Sequence, residues 1–198
     1  MIFTKNDISQ LEKVERLKLI NSLCGVRSVH LIGTKSIDNI SNLAIFSSVT
    51  HLGSNPSILG LISRPSDIVK RDTISNINSS NYYTINSVQS TMIDRAHQTS
   101  AKYKSNISEF EVCGFKEEYI GSFFAPFVTE STIQIGMKLL ETIQIKYNNT
   151  VLIIGEIEII KYKHKVYLDN FKDGVGVIGL NSYYKNRKVK DLKYIRIN

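Results

Sequence analysis

A chain of 198 residues with 42% hydrophobic content can close one sizeable core, and two cysteines remote in sequence, Cys24 and Cys113, argue against a disulfide framework or a structural zinc. No apolar run approaches the ~18 residues that cross a bilayer, and the opening MIFTKNDISQ lacks a signal peptide's apolar segment, so a cytoplasmic protein with reduced thiols and no membrane partner is expected. The net charge of +7 is wholly C-terminal, because residues 161–198 carry ten Lys or Arg against Asp169, Asp173 and Asp191 while the preceding 160 residues balance fifteen against fifteen.

Leu11, Val14, Leu17 and Ile20 stand at near-helical spacing among charged residues and predict an amphipathic helix over 8–20. Strands follow at 26–34, 42–50 and 58–63, separated by turn chemistry at Asp38 and Asn39 and again at Gly53, Ser54, Asn55 and Pro56. Asp72 is a polar N-cap candidate ahead of Thr73, Ile74 and Ile77, giving a short helix that ends near Ser79 and Ser80. A strand is expected at 82–88 and a helix at 91–102. The stretch 105–129, with Phe123, Phe124 and Phe127 among Gly121 and Pro126, reads as an ordered but irregular excursion.

In 139–147, Ile143, Ile145 and Tyr147 alternate with Thr142, Gln144 and Lys146, the period of a strand. Asn148 and Asn149 supply a turn, and 151–160 opens as an apolar run before alternating Glu156, Ile157, Glu158 and Ile159, so the two segments form a hairpin. Many strands, few helices and no internal repeat point to one domain, 1–198, built as a mainly antiparallel barrel, because closing a sheet removes exposed edges. Neither a GxGxxG nor a GxxxxGK[ST] motif occurs, so any nucleotide must be held by other loops. The basic tail either lines an anionic ligand's entrance, contacts nucleic acid or is a solvated face, the usual meaning of a charge run.

The segment Asn42-Leu43-Ala44-Ile45-Phe46-Ser47-Ser48, followed by His51-Leu52-Gly53-Ser54-Asn55-Pro56, resembles the flavin-contacting strand and loop of the flavin reductase-like, FMN-binding split-barrel family. Arg64-Pro65 with Arg71-Asp72-Thr73-Ile74-Ser75-Asn76-Ile77 resembles its strand end and phosphate-side helix, and Tyr82-Tyr83-Thr84-Ile85-Asn86 its next strand. Ala96-His97-Gln98-Thr99-Ser100-Ala101-Lys102-Tyr103 with Ser108-Glu109-Phe110-Glu111 looks like a segment typical of one branch. The likeness covers roughly 25–185 and rests on the order and spacing of these motifs. Ile45 and Ser57 stand where many relatives carry proline, so a less rigid loop is expected here.

The resemblance implies an antiparallel split β-barrel with helical insertions that binds FMN, or alternatively FAD, and takes hydride from NADH or NADPH; the alternative reading is a non-catalytic flavin-binding or electron-carrier protein. It implies a homodimer, with a monooxygenase or another acceptor receiving the electrons and no nucleic-acid partner. On the phosphate side it points to Ser47, Ser48, Arg64 and Thr73, with the amides around Asp72 and Thr73 at a helix start. Near the ring it points to Asn42, Asn86, small Ala44 and Phe46, although a strand phenylalanine is equally a core residue. His97 is the catalytic candidate, read either as facing the approach of the nicotinamide or as a helix histidine bonded to backbone. Tyr183 and Tyr184 either reach the partner subunit's flavin or cover a barrel end. Cys24 and Cys113 receive no catalytic role.

Overall fold

In the computed structural model, which describes residues 1–65 and 71–195, two short helices, α1 (Lys5–Gln10) and α2 (Lys13–Ser22), precede the strands. The strands are β1 (Arg27–Ser28), β2 (His30–Lys35), β3 (Ser41–Phe46), β4 (Thr50–Ser54) and β5 (Ser57–Ser63), followed by helix α3 (Asp72–Ser80) and β6 (Tyr82–Ser87). Helices α4 (Ile93–Gln98) and α5 (Glu109–Val112), the small hairpin β7 (Glu117–Glu118) and β8 (Phe127–Val128), and the long hairpin β9 (Ile133–Ile145) and β10 (Thr150–Tyr162) come next. The hairpin β11 (Val175–Ile178) and β12 (Ser182–Lys185) completes the order.

Seven strands form one antiparallel sheet in the order β3-β2-β6-β9-β10-β5-β4. Its two edge strands, β3 and β4, are consecutive in the chain and joined only by residues 47–49. Six inter-strand spacings of a flat sheet would separate those edges by about 29 Å, whereas the link from Phe46 to Thr50 reaches at most about 14 Å. The sheet must therefore curl until its edges approach, which makes a barrel split between β3 and β4. The Ser48 hydroxyl crosses the split, donating to the Ile62 carbonyl at 2.9 Å and accepting from the Ile62 N–H at 3.1 Å.

Adjacent strand residues face opposite ways, so Leu31 and Ile32 serve two different cores. Ile32 joins Leu61, Tyr83, Ile85, Met137 and Ile153 in one cluster, onto which α3 packs Ile74 and Ile77. Leu31 joins Leu43, Val88, Phe110 and Val177 in the other, beneath α4, α5 and β11. The excursion 105–129 is pinned to β2 where Gly33 leaves room, since a Cβ there would lie 2.3 Å from the Pro126 carbonyl oxygen. Thr84 Oγ1 donates to that same oxygen at 2.6 Å, and Asn86 Oδ1 accepts from the Val128 N–H at 3.0 Å.

The mainly antiparallel barrel and the turns at Asn39 and Asn149, both at positive φ, follow the sequence reading. Other boundaries differ. The single helix expected over 8–20 is two, because Thr4 and Asp7 form a capping box that starts α1 early and Arg16 donates to the terminal carbonyls of Ser9 and Leu11. Its apolar stripe stays largely exposed, at 59% for Val14, 43% for Leu17 and 44% for Ile20. The strand at 26–34 breaks at Val29, where the chain leaves a three-stranded sheet β1-β11-β12 for the seven-stranded one. Asp72 is the first helical residue rather than the cap, which is Arg71 without a side-chain cap bond. The helix over 91–102 shrinks to α4, ended where Thr99 Oγ1 bonds the Ala96 carbonyl.

Replacing Ser48 by Ala would leave the N–H and carbonyl of Ile62 unpaired beside the split, a loss of about 1–3 kcal/mol. Urea denaturation of Ser48→Ala is expected to show this drop; unchanged stability would mean that another contact holds the split.

Candidate functional site

Strand β3 is the spine of a cleft of about 500 Å³, a size suited to one cofactor-scale ligand. Residues 42 and 44–48 form its floor, the end of β5 with Arg64 and the start of α3 with Arg71, Asp72 and Thr73 form one wall, and residues 99–103 with Glu109 form the other. Arg27 from β1 and Asn21 from α2 also line it. The fold thus brings together Asn42, Ala44, Phe46, Ser47, Ser48, Arg64, Asp72 and Thr73, which lie on three separate segments of the sequence. The curl produces this meeting, because the split places β3 and the end of β5 side by side.

Asn42 is the hub of a buried polar cluster. Its Oδ1 accepts from Thr34 Oγ1 at 3.2 Å and from Thr73 Oγ1 at 3.0 Å, while its Nδ2 donates to Glu109 Oε2 at 2.7 Å. The Leu43 N–H donates to the same carboxylate oxygen at 3.0 Å, and Asn76 Nδ2 donates to Thr34 Oγ1 at 3.1 Å. A hydroxyl has one hydrogen, so Thr73 and Ser48, both engaged inside the protein, present lone pairs and backbone to the cleft in place of O–H donors. Ser47 has no such engagement among the described residues.

Stronger donors stand beside them. The first N–H groups of α3 lack i−4 partners by the geometry of a helix start, and Arg71 Nε is buried there without a hydrogen-bond partner among the described residues. Arg64 is exposed at the rim. Arg71, Glu109, Arg27 and Lys102 were not among the expected site residues. Arg71, Glu109 and Lys102 stand inside motifs that carry the family likeness, but no local pattern marks Arg27. Glu109 is 7% exposed, and burial pushes its carboxyl above the ordinary value, with the Asp72 charge adding to the rise and the bonds from Leu43 and Asn42 opposing it.

Four expected residues do not line this cleft. Asn86 is corrected to a structural role: it is 0% exposed, its Nδ2 donates to the Leu31 carbonyl and Thr84 Oγ1, and its Oδ1 holds Val128. His97 neither faces the cleft nor bonds backbone through its ring. Its Nδ1 lies 2.8 Å from the Tyr183 hydroxyl, joining α4 to β12, and burial raises the pKa of that hydroxyl. Tyr183 also packs against the outer core, and Tyr184 is exposed. Burial lowers His30 to about 4 and raises the Cys113 thiol, so neither a histidine cation nor a thiolate is favoured at those positions.

Within the basic tail, Lys161, Lys172, Lys185 and Lys188 pair with Glu118, Asp169, Asp173 and Asp191. No described tail residue lines the cleft, and Arg196 lies outside the described residues. Among the described residues no helix is long and apolar enough to cross a membrane, and no cluster of His, Cys, Asp or Glu could hold a metal.

A family model, the flavin reductase like domain, matches residues 26–192. An uncharacterized protein of Aquifex aeolicus (strain VF5) is 26% identical over 154 residues, which are 77% of this chain and 78% of that one. The crystal structure of a candidate flavin reductase with a split barrel domain from Shewanella frigidimarina NCIMB 400 superposes with a TM-score of 0.92 at 41% identity, covering 98% of this chain and 100% of the other. Nitrilotriacetate monooxygenase component B from Bacillus cereus shares the fold, with a TM-score of 0.83 at 16% identity over 97% of this chain and 98% of that one.

The raised pKa of Glu109 makes its ionisation harder in the folded chain than in the unfolded one. The stability it contributes is full below the ordinary carboxylate value of 4.5 and is lost as pH rises through the folded value. Glu109→Gln keeps an oxygen acceptor for Asn42 and Leu43 but does not titrate, so it should lack this decline. Urea midpoints of both proteins from mildly acidic to neutral pH test the difference, and parallel curves would contradict it.

Proposed function

The chain belongs to the flavin reductase-like domain family, and on that premise we propose that it binds FMN in the cleft along β3 and catalyses its reduction by NADH or NADPH. The observation that carries this reading is the convergence of β3, the end of β5 and the start of α3 on a single cleft whose phosphate-competent donors lie at one wall. Arg71, Arg64 and the free N–H groups of α3 suit a flavin phosphate, since a guanidinium and helix-start amides together favour an anion. Ala44 leaves room for a flat ring against the backbone, and Phe46 offers an apolar face. FAD fits the same donors if its adenosine half extends into solvent.

Bound flavin would supply the hydride-accepting chemistry itself. The protein's part is to hold the two rings together and exclude water, so no catalytic acid or base in the cleft is needed. Asn42 contributes by rigidity, being fixed from three sides by Thr34, Thr73 and Glu109. The electrons then pass to a separate monooxygenase or another acceptor; a monooxygenase component B shares the fold. We further propose a homodimer in which Tyr183 or Tyr184 of one chain approaches the flavin of the other. Support comes from uncovered apolar residues on α2 and on the β9–β10 hairpin, including Leu140, Ile143 and Ile160.

FMN-loaded protein is expected to lose its flavin absorbance when NADH or NADPH is added without oxygen. Tight FMN binding with no bleaching by either nucleotide would leave a flavin carrier in place of a reductase. Arg71→Ala is expected to weaken FMN by about 1.5–3 kcal/mol and riboflavin, which lacks the phosphate, far less. Equal weakening of both, measured by flavin fluorescence, would assign Arg71 to the fold.

A further inference from the structure

We infer that Arg27, together with Lys102, forms a second anion subsite at the Phe46 end of the cleft, built to take the diphosphate of the nicotinamide nucleotide. This rests on the flavin reading above and identifies the part of the donor that the chain grips.

The two ends of β3 are chemically different. Thr73 and Glu109 are tied to Asn42 at its start, so the α3 donors and the cleft's acids, Asp72 and Glu109, gather there. At its other end Phe46 pairs with His30, and Arg27 lies three residues earlier in the chain, beyond that pair. Four residues of strand separate the ends by about 13 Å. One phosphate group cannot be held from both, and FMN carries only one. If α3 and Arg71 take it, the cations at the far end are free for a second anion.

Arg27 is prepared for such a ligand. Its Nη2 donates to the Gly179 carbonyl at 3.1 Å, which fixes the guanidinium at the turn between β11 and β12. Among the described residues its Nε is buried with no hydrogen-bond partner, and no carboxylate pairs with Arg27 or with Lys102. A buried donor without an acceptor is unfavourable until an acceptor arrives. Lys102 belongs to the wall that follows α4, and the His97–Tyr183 bond ties α4 to β12, which pairs with β11, which pairs with β1. Both cations therefore sit on one braced unit, with His97 acting as part of the brace. A planar fork beside a mobile point charge suits two linked phosphoryl groups better than one. A nicotinamide ring stacked over Ala44 and Phe46 would trail its diphosphate toward this end.

The probe is ADP, which carries the diphosphate but no nicotinamide, titrated calorimetrically into FMN-loaded protein. Wild type should bind it, Arg27→Ala should bind it at least tenfold more weakly, and Lys102→Ala should show a smaller loss. FMN affinity should stay within twofold in both variants. Arg27→Lys keeps a charge and a donor toward Gly179, serves if the alanine variant fails to fold, and should fall between wild type and Arg27→Ala. Absence of ADP binding to loaded wild type, unchanged ADP binding in the Arg27 variants, or loss of FMN in step with ADP would each overturn the subsite. If the wild type takes up no FMN, the flavin reading itself fails; ADP binding by the flavin-free chain that is lost in Arg27→Ala would still support an anion site there.

Discussion

A three-residue link governs this structure. Residues 47–49 join two strands that occupy opposite edges of a seven-stranded sheet, so the sheet has no choice but to curl. The curl creates the core on which α3 packs, and it brings β3 against the end of β5 to make the cleft. Ser47 and Ser48 lie in the link itself. Their presence in the site is thus a consequence of barrel closure, and Ser48 uses its hydroxyl to secure that closure.

The interior of the site is less free than its residue types suggest. Asn42 and Thr73 look like two independent ligand contacts in the sequence, yet Thr73 is bonded to Asn42, which is held in turn by Glu109. What remains for an anion is mostly backbone N–H and guanidinium, groups whose geometry is set by α3 and by the sheet. Such a site is preorganised: binding does not have to break internal hydrogen bonds, and the donors do not have to be ordered at the moment of contact.

Much of the fold was legible because strand periodicity and turn chemistry are local. The β9–β10 hairpin, the turn at Asn149 and the position of α3 were readable from a dozen residues each. The break at Val29 was not, since it depends on β11, which lies about 150 residues away and carried no strand signal of its own. The same holds for the site. Residues 42–48, 64 and 72–73 were reachable through motif likeness, while Arg27 reaches the cleft only through its pairing with Val177. Asn86 shows the converse: its amide reads as available in the sequence, but Leu31 and Thr84 engage its Nδ2 and Val128 of the excursion its Oδ1.

The strand order also dictates when the barrel can exist during synthesis. Strands β4 and β5 form their own hairpin early, but the partner that joins β5 to the rest of the sheet is β10, and the bridge from β10 back to β6 is β9. Until residues 133–162 have left the ribosome, the strand groups β2-β3-β6 and β4-β5 have no strand to join them, and their edges stay open to other chains. Protection from aggregation in that interval must come from outside the sheet, and the cleft appears only after nearly the whole chain has been made.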